Sequence, residues 1–229
     1  MDPETLALGP IWYVCFIFAL TCHEAAHALA AKLGGDNTAY EGGQVSLNPW
    51  PHIRRSPFGT VVVPIVVFWM SGWMLGWANA PYDPRWQDRY PKRAALMALA
   101  GPAANFTLVI ISVILMHLGV ATGHFIGPDA YPGMTNIVTG STPGVVSLIA
   151  IALSITFSLN LLLGVFNLIP VPPLDGSSAV GLFLPESLVH KYNAFCQNQA
   201  FALLGIVVAW RLIDFILAPI FYGSIAIIF

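Results

Sequence analysis

Four stretches of this chain are long, apolar and nearly free of charge: Leu8–Lys32, Arg93–Val120, Val145–Leu168 and Ala200–Leu217. A helix that crosses a bilayer needs about 20 predominantly apolar residues. Within lipid a segment must satisfy its own backbone polar groups, which a helix does. These runs therefore dictate most of the architecture. Composition agrees, with 57% hydrophobic and 9% charged residues, against roughly 25% charged in a soluble domain. The sequence predicts an all-α polytopic membrane protein, a single membrane-embedded domain over residues 1–229 with four spanning helices and the lipid bilayer as its solvent. The formal net charge is only −2 and no long basic run occurs, which argues against nucleic acid as a partner. Cys15, Cys22 and Cys196 show no paired spacing and read as small buried hydrophobes. The opening MDPETLALGP lacks a positively charged lead, so the first apolar run is expected to stay as an anchor. No feature specifies an oligomer.

A fifth apolar segment, Gly59–Ala80, is interrupted by Pro64, Gly72 and Gly76. Its flanks hold Lys32, Arg54 and Arg55 on one side and Arg85, Arg89, Lys92 and Arg93 on the other, whereas the loop 121–144 holds no Lys or Arg. If the segment dips and returns, all seven charges share one face, as the positive-inside rule asks. The expectation is a re-entrant segment, with the N-terminus outside and the basic loops cytoplasmic. The preceding stretch Thr38–Pro57 is rich in turn formers and reads as a small strand-like or extended region at the membrane surface. Pro219 marks a kink or an end of the last helix.

Into the first apolar run the chain places His23, Glu24 and His27, an H-E-x-x-H pattern. Residues four apart on a helix share a face, so both imidazoles can reach one cation, and imidazole suits Zn²⁺. Glu24 is then placed to take a proton from a metal-activated water. A carboxylate at bilayer depth costs about 2.5–3.5 kcal/mol even on lenient insertion scales, which favours a functional reading over simple burial. A catalytic zinc needs a third protein ligand. Asp175 fits best: it follows three prolines and precedes Gly176 at the end of a spanning helix, whereas Asp214 has a structural partner in Arg211. For His23 and Asp175 to meet, their helices must run in the same direction, and a single intervening crossing achieves that.

Together with the later N-x-x-P-x-P-P-L-D-G run (Asn167–Gly176), this pattern resembles the site-2 protease family of intramembrane zinc metalloproteases. VSLNPWPHI (Val45–Ile53), SPFGTVVVP (Ser56–Pro64), GWANAP (Gly76–Pro81) and ALAGPAANF (Ala98–Phe106) are similar to segments of its small bacterial and archaeal members. The resemblance implies a minimal member in a prokaryotic cell membrane, with one Zn²⁺ held by His23, His27 and Asp175 and Glu24 as the base. It also implies that Asn167 contacts the substrate backbone or polarises the scissile carbonyl. The partner would be a transmembrane protein substrate, cut within or near its membrane segment. Gly101 and Asn105, in a G-x-x-x-N stretch, either allow close helix approach or line the cleft. Two departures stand out: Arg54-Arg55-Ser56 lies where small members usually place an acidic residue, and Gln44 lies where a basic one is common.

Two other readings use the same ligands, a non-proteolytic membrane zinc carrier or sensor and a pseudoprotease; neither needs a base beside the water, so Glu24 discriminates. His52 is expected at the interface, and His117, His124 and His190 lack ligand spacing. Trp50, Trp69, Trp73, Trp77 and Trp86 read as headgroup-level anchors. The Gly43–Asn48 stretch and the dipping segment are candidates to pair with an unwound substrate strand.

Overall fold

The computed structural model describes residues 2–128 and 132–229. A short turn, α1 (Pro3–Ala7), is capped by Asp2, which accepts from the Thr5 N–H at 2.7 Å. It leads into α2 (Gly9–Leu33), with a proline in its first turn, where the missing N–H is harmless. Past α2 come two small helices, α3 (Thr38–Glu41) and α4 (Pro49–Arg55), then a π-type turn over Phe58–Val62 that runs into α5 (Val63–Ser71). After an extended return, α6 (Pro84–Arg89) precedes α7 (Pro91–Ala121). Two-residue strands β1 (Phe125–Ile126) and β2 (Thr139–Gly140) pair antiparallel before α8 (Val145–Asn167). The chain closes with α9 (Asp175–Ala179), α10 (Glu186–Cys196) and α11 (Gln199–Ile228).

Three helices, α2, α7 and α8, are each long and apolar enough to cross a membrane, and they form the frame. His23 meets Asn105 and His27 meets Met97, so α2 and α7 are antiparallel. Asn105 meets Asn160, while Met116 and Ala150 share one core cluster, so α8 turns back again. The helices bearing His23 and preceding Asp175 thus run the same way. Small residues let the frame close: a side chain on Gly164 would press on the Phe106 ring.

The segment Gly59–Ala80 doubles back on itself. α5 ends at Gly72, whose φ of +79° is a left-handed turn that glycine adopts without strain. The chain then returns extended until the Trp77 N–H donates to the Gly59 carbonyl at 3.1 Å. A Cβ on Gly59 would strike the Trp77 carbonyl, and one on Gly76 would strike the Gly59 carbonyl. Backbone-to-backbone contact of the two arms requires both glycines. Phe68 seals the hairpin against Trp12, Phe16, Ile155 and Leu159.

Several local expectations are corrected. Gly43–Asn48 forms no strand: Gly43 has φ +74°, and the side chains of Ser46 and Asn48 are committed to the Asn48 and Trp50 N–H groups at the start of α4. Such local bonds compete with a strand ladder. His52 is not interfacial but 1% exposed, with Nε2 3.0 Å from the Ser46 carbonyl. Trp86 is buried, its Nε1–H donating at 3.0 Å to the Gly34 carbonyl at the end of α2, so it serves a helix end rather than a headgroup. Pro219 does not end the last helix, which continues to Ile228 with the proline inside it. The side chain of Asp214 lies outside the described residues, and with it the expected pair with Arg211. Trp50, Trp69 and Trp77 are exposed on the apolar surface.

Lys92 ties the carboxy-terminal half to the frame. Its ammonium donates to the carbonyls of Gly181, Leu182 and Leu184 at 3.2, 2.6 and 2.9 Å. All three of its protons are used, and the short block carrying Asp175 is thereby clamped to the start of α7.

Replacing Gly76 by Val forces apart the two arms of the hairpin. The expected loss is about 1–3 kcal/mol, the usual cost of overpacking, read as a lowered unfolding temperature of the purified protein.

Candidate metal centre

His23, Glu24 and His27 lie on one turn of α2, and all three are buried. Asp175 approaches from the first position of α9, after the proline-rich turn Leu168–Leu174. That turn is compact because Gly176 packs directly on the Leu168 carbonyl, where a Cβ has no room. The structure brings His23, His27 and Asp175 together. The two Nε2 atoms are 3.0 Å apart, and an Asp175 Oδ2 sits 3.1 Å from the first and 3.3 Å from the second.

Which face of each ring looks inward decides what this triangle can hold. His23 Nδ1 is 2.6 Å from Asn105 Oδ1, and His27 Nδ1 is 2.8 Å from the Met97 carbonyl. Both are acceptors, so both Nδ1 atoms carry the proton and both Nε2 atoms present lone pairs. Two lone pairs and a carboxylate oxygen, buried at about 3 Å, repel unless a cation joins them. Zinc–nitrogen bonds of about 2.0–2.1 Å in a tetrahedron put donors roughly 3.3 Å apart, close to the spacing observed. The donor set, its geometry and the outward hydrogen bonds that orient the rings all fit a zinc ion.

Gly101 forms the floor. A Cβ there would lie inside contact distance of both Nε2 atoms, so it serves both close helix approach and the lining of the site. Glu24 lines the same cavity with Oε2 buried and without a hydrogen-bond partner, available to take a proton. Asn167 lies at the last turn of α8 on the cavity wall, with Nδ2 donating to the Leu163 carbonyl at 3.0 Å. The cavity measures about 620 Å³. Its other wall is the extended return Leu75–Ala80, and Ile206 and Trp210 of α11 close the far side. Both positions at which the chain departs from the small members meet that return: Gln44 Nε2 donates to the Asn79 carbonyl at 3.2 Å, and Arg55 Nε to Asn79 Oδ1 at 2.9 Å.

Sequence reasoning left Asn160 unremarked. It lies mid-span on α8, is 0% exposed, and accepts from Asn105 Nδ2 at 2.8 Å. The signal was available, because a buried amide in so apolar a helix carries a cost that calls for a partner.

Apolar spanning helices that gather two imidazoles, a carboxylate and a free glutamate define a membrane metallohydrolase. A profile of Peptidase family M50 matches residues 11–212, and the chain belongs to that family, the site-2 proteases. It is 31% identical over 218 residues to "Putative zinc metalloprotease YwhC" of Bacillus subtilis (strain 168), covering 93% of this chain and 87% of the relative. No solved structure matches the chain. The protein is a multi-pass membrane protein and a zinc-dependent metalloendopeptidase.

Substituting Gly101 by Ala sets a methyl group against both Nε2 atoms. Zinc affinity, measured by chelator competition, is expected to fall by at least the roughly 10–100-fold typical of disturbed metal surroundings.

Proposed function

We propose that this protein cuts the peptide backbone of membrane-spanning segments from within the bilayer, with one zinc ion per chain held by His23, His27 and Asp175. The observation that carries this reading is the convergence of three metal-type donor atoms, at 3.0–3.3 Å from one another, two of them on a helix apolar enough to span and the third just beyond another. Zinc, when bound, lowers the pKa of a water from 15.7 towards about 7 and polarises a carbonyl. The rest falls to the chain's own groups. Glu24 takes the water's proton at its unpartnered carboxylate and returns it to the departing amine. Asn167 keeps one Nδ2 proton and its Oδ1 free of its bond to Leu163, which supports a role in gripping the substrate backbone or the developing oxyanion.

A helical substrate offers no free peptide groups, so it must be drawn out before it is cut. Gly43–Asn48, which forms no strand of its own, offers a poorer edge for it. The return Leu75–Ala80 suits that task better: it lines the cavity extended, and among the described residues only its Trp77 N–H has a backbone partner. Gln44 and Arg55 hold its end at Asn79.

The charge distribution favours entry of the hairpin from the cytoplasm with the N-terminus outside. Lys32 closes α2, and Lys92 and Arg93 open α7, at the end of the bundle where Arg93 donates to the Gly34 carbonyl. In a cysteine-free background, single cysteines at Arg54 and Arg89 are expected to react with an impermeant maleimide from the cytoplasmic side only, and one at Thr142 from the opposite side only. Labelling of 54 and 89 from opposite sides refutes the hairpin's re-entry.

Glu24→Gln tests the chemistry. It should leave zinc content at the native level and lower cleavage of a reconstituted single-span substrate by at least about 10²–10⁴-fold. Undiminished cleavage removes Glu24 as base, and a native chain that binds zinc without cutting favours the carrier reading.

A further inference from the structure

The two imidazoles are held outward by unequal partners. Behind His27 stands the Met97 backbone carbonyl, 2.8 Å away, which can only accept. Behind His23 stands the amide of Asn105, and an amide can turn end for end. Turned, it would present NH₂ to Nδ1. That nitrogen would have to accept, the ring proton would move to Nε2, and one of the three inward lone pairs would vanish.

We infer that Asn160 is a positioning residue for the metal centre: it locks the Asn105 amide and so holds His23 in the tautomer that offers Nε2. Asn105 Nδ2 donates to Asn160 Oδ1 at 2.8 Å, and Asn160 Nδ2 donates to the Thr156 carbonyl at 2.8 Å. The last acceptor is backbone and has no proton to give, so the direction of every bond follows from it. The Thr156 carbonyl fixes Asn160, Asn160 fixes Asn105, and Asn105 fixes the proton on His23 Nδ1. Asn105 and Asn160 are both 0% exposed, so no bulk water can stand in for a broken link. Reversing one amide sets oxygen against oxygen or NH₂ against NH₂ inside an apolar bundle, where an unmade bond carries its full desolvation cost. The relay also crosses from α7 to α8, so helix packing and the protonation pattern of a residue on α2 are one problem.

The inference rests on the zinc reading of His23, His27 and Asp175, and the experiment separates the two. Zinc affinity of the purified full chain is measured by chelator competition for the native protein, Asn160→Leu and Asn160→Asp. Leucine removes the acceptor, and affinity is expected to fall about 10–100-fold, the range for a lost outer partner. As the neutral acid, aspartic acid donates its proton to the Thr156 carbonyl and accepts from Asn105 with its other oxygen, so that variant is expected to bind close to the native level. A residue that merely fills space would show the opposite order, since leucine suits an apolar bundle better than a polar acid does. Native affinity in Asn160→Leu, or an equal loss in both variants, overturns the relay and leaves the zinc site standing. A native chain that binds no zinc overturns the reading beneath it. If either variant fails to fold, ¹⁵N-histidine spectra of the metal-free native chain decide: a proton on His23 Nδ1 supports the relay, and a proton on Nε2 overturns it.

Discussion

Three electron-rich atoms pointed at one spot are the constraint around which this molecule is arranged. Alone, two imidazole lone pairs and a carboxylate oxygen at about 3 Å would push one another apart, and both histidines and that oxygen are buried. Much of the structure can be understood as holding them there against that repulsion. α2 supplies two of the groups on one turn, α7 backs both rings and leaves a glycine where a side chain would intrude, and the turn after α8 delivers the third. The antiparallel alternation of α2, α7 and α8 is what lets residues 23 and 175 meet across so much intervening sequence.

The hairpin between α2 and α7 solves a different problem. A cleft that works on peptide needs an extended wall, and extended backbone away from a sheet leaves polar groups that need partners or water. Here the helical arm α5 shields the extended arm from one side, and the cavity occupies the other. Two glycines allow the arms to touch through backbone alone, which keeps the wall thin.

What could be read from residues alone divides by range. The long helices are legible because about 20 apolar residues have few other uses; their bounds agree with the structure to within about two residues, apart from the C-terminal helix, which runs past Pro219. A proline can be accommodated inside an apolar helix, and this one runs on to Ile228. The H-E-x-x-H spacing and the lone aspartate after three prolines were legible because each is a local pattern with a chemical cost. Gly43–Asn48 was misjudged because alternation in a short stretch looks the same whether or not Ser46 and Asn48 spend their side chains on caps. His52 was misjudged because its burial depends on where the chain returns, and Asn160 passed unnoticed because its partner lies 55 positions away on another helix.

Lys92 joins two requirements that are usually separate. It is one of the seven cations flanking the hairpin, the kind of charge bias that the positive-inside rule reads. Its ammonium also gathers three carbonyls of the block that carries Asp175. The same group therefore stands in that run of charge and seats the block that bears the last donor of the triangle. A change at position 92 would therefore disturb the charge beside the hairpin and the seating of residue 175 at the same time.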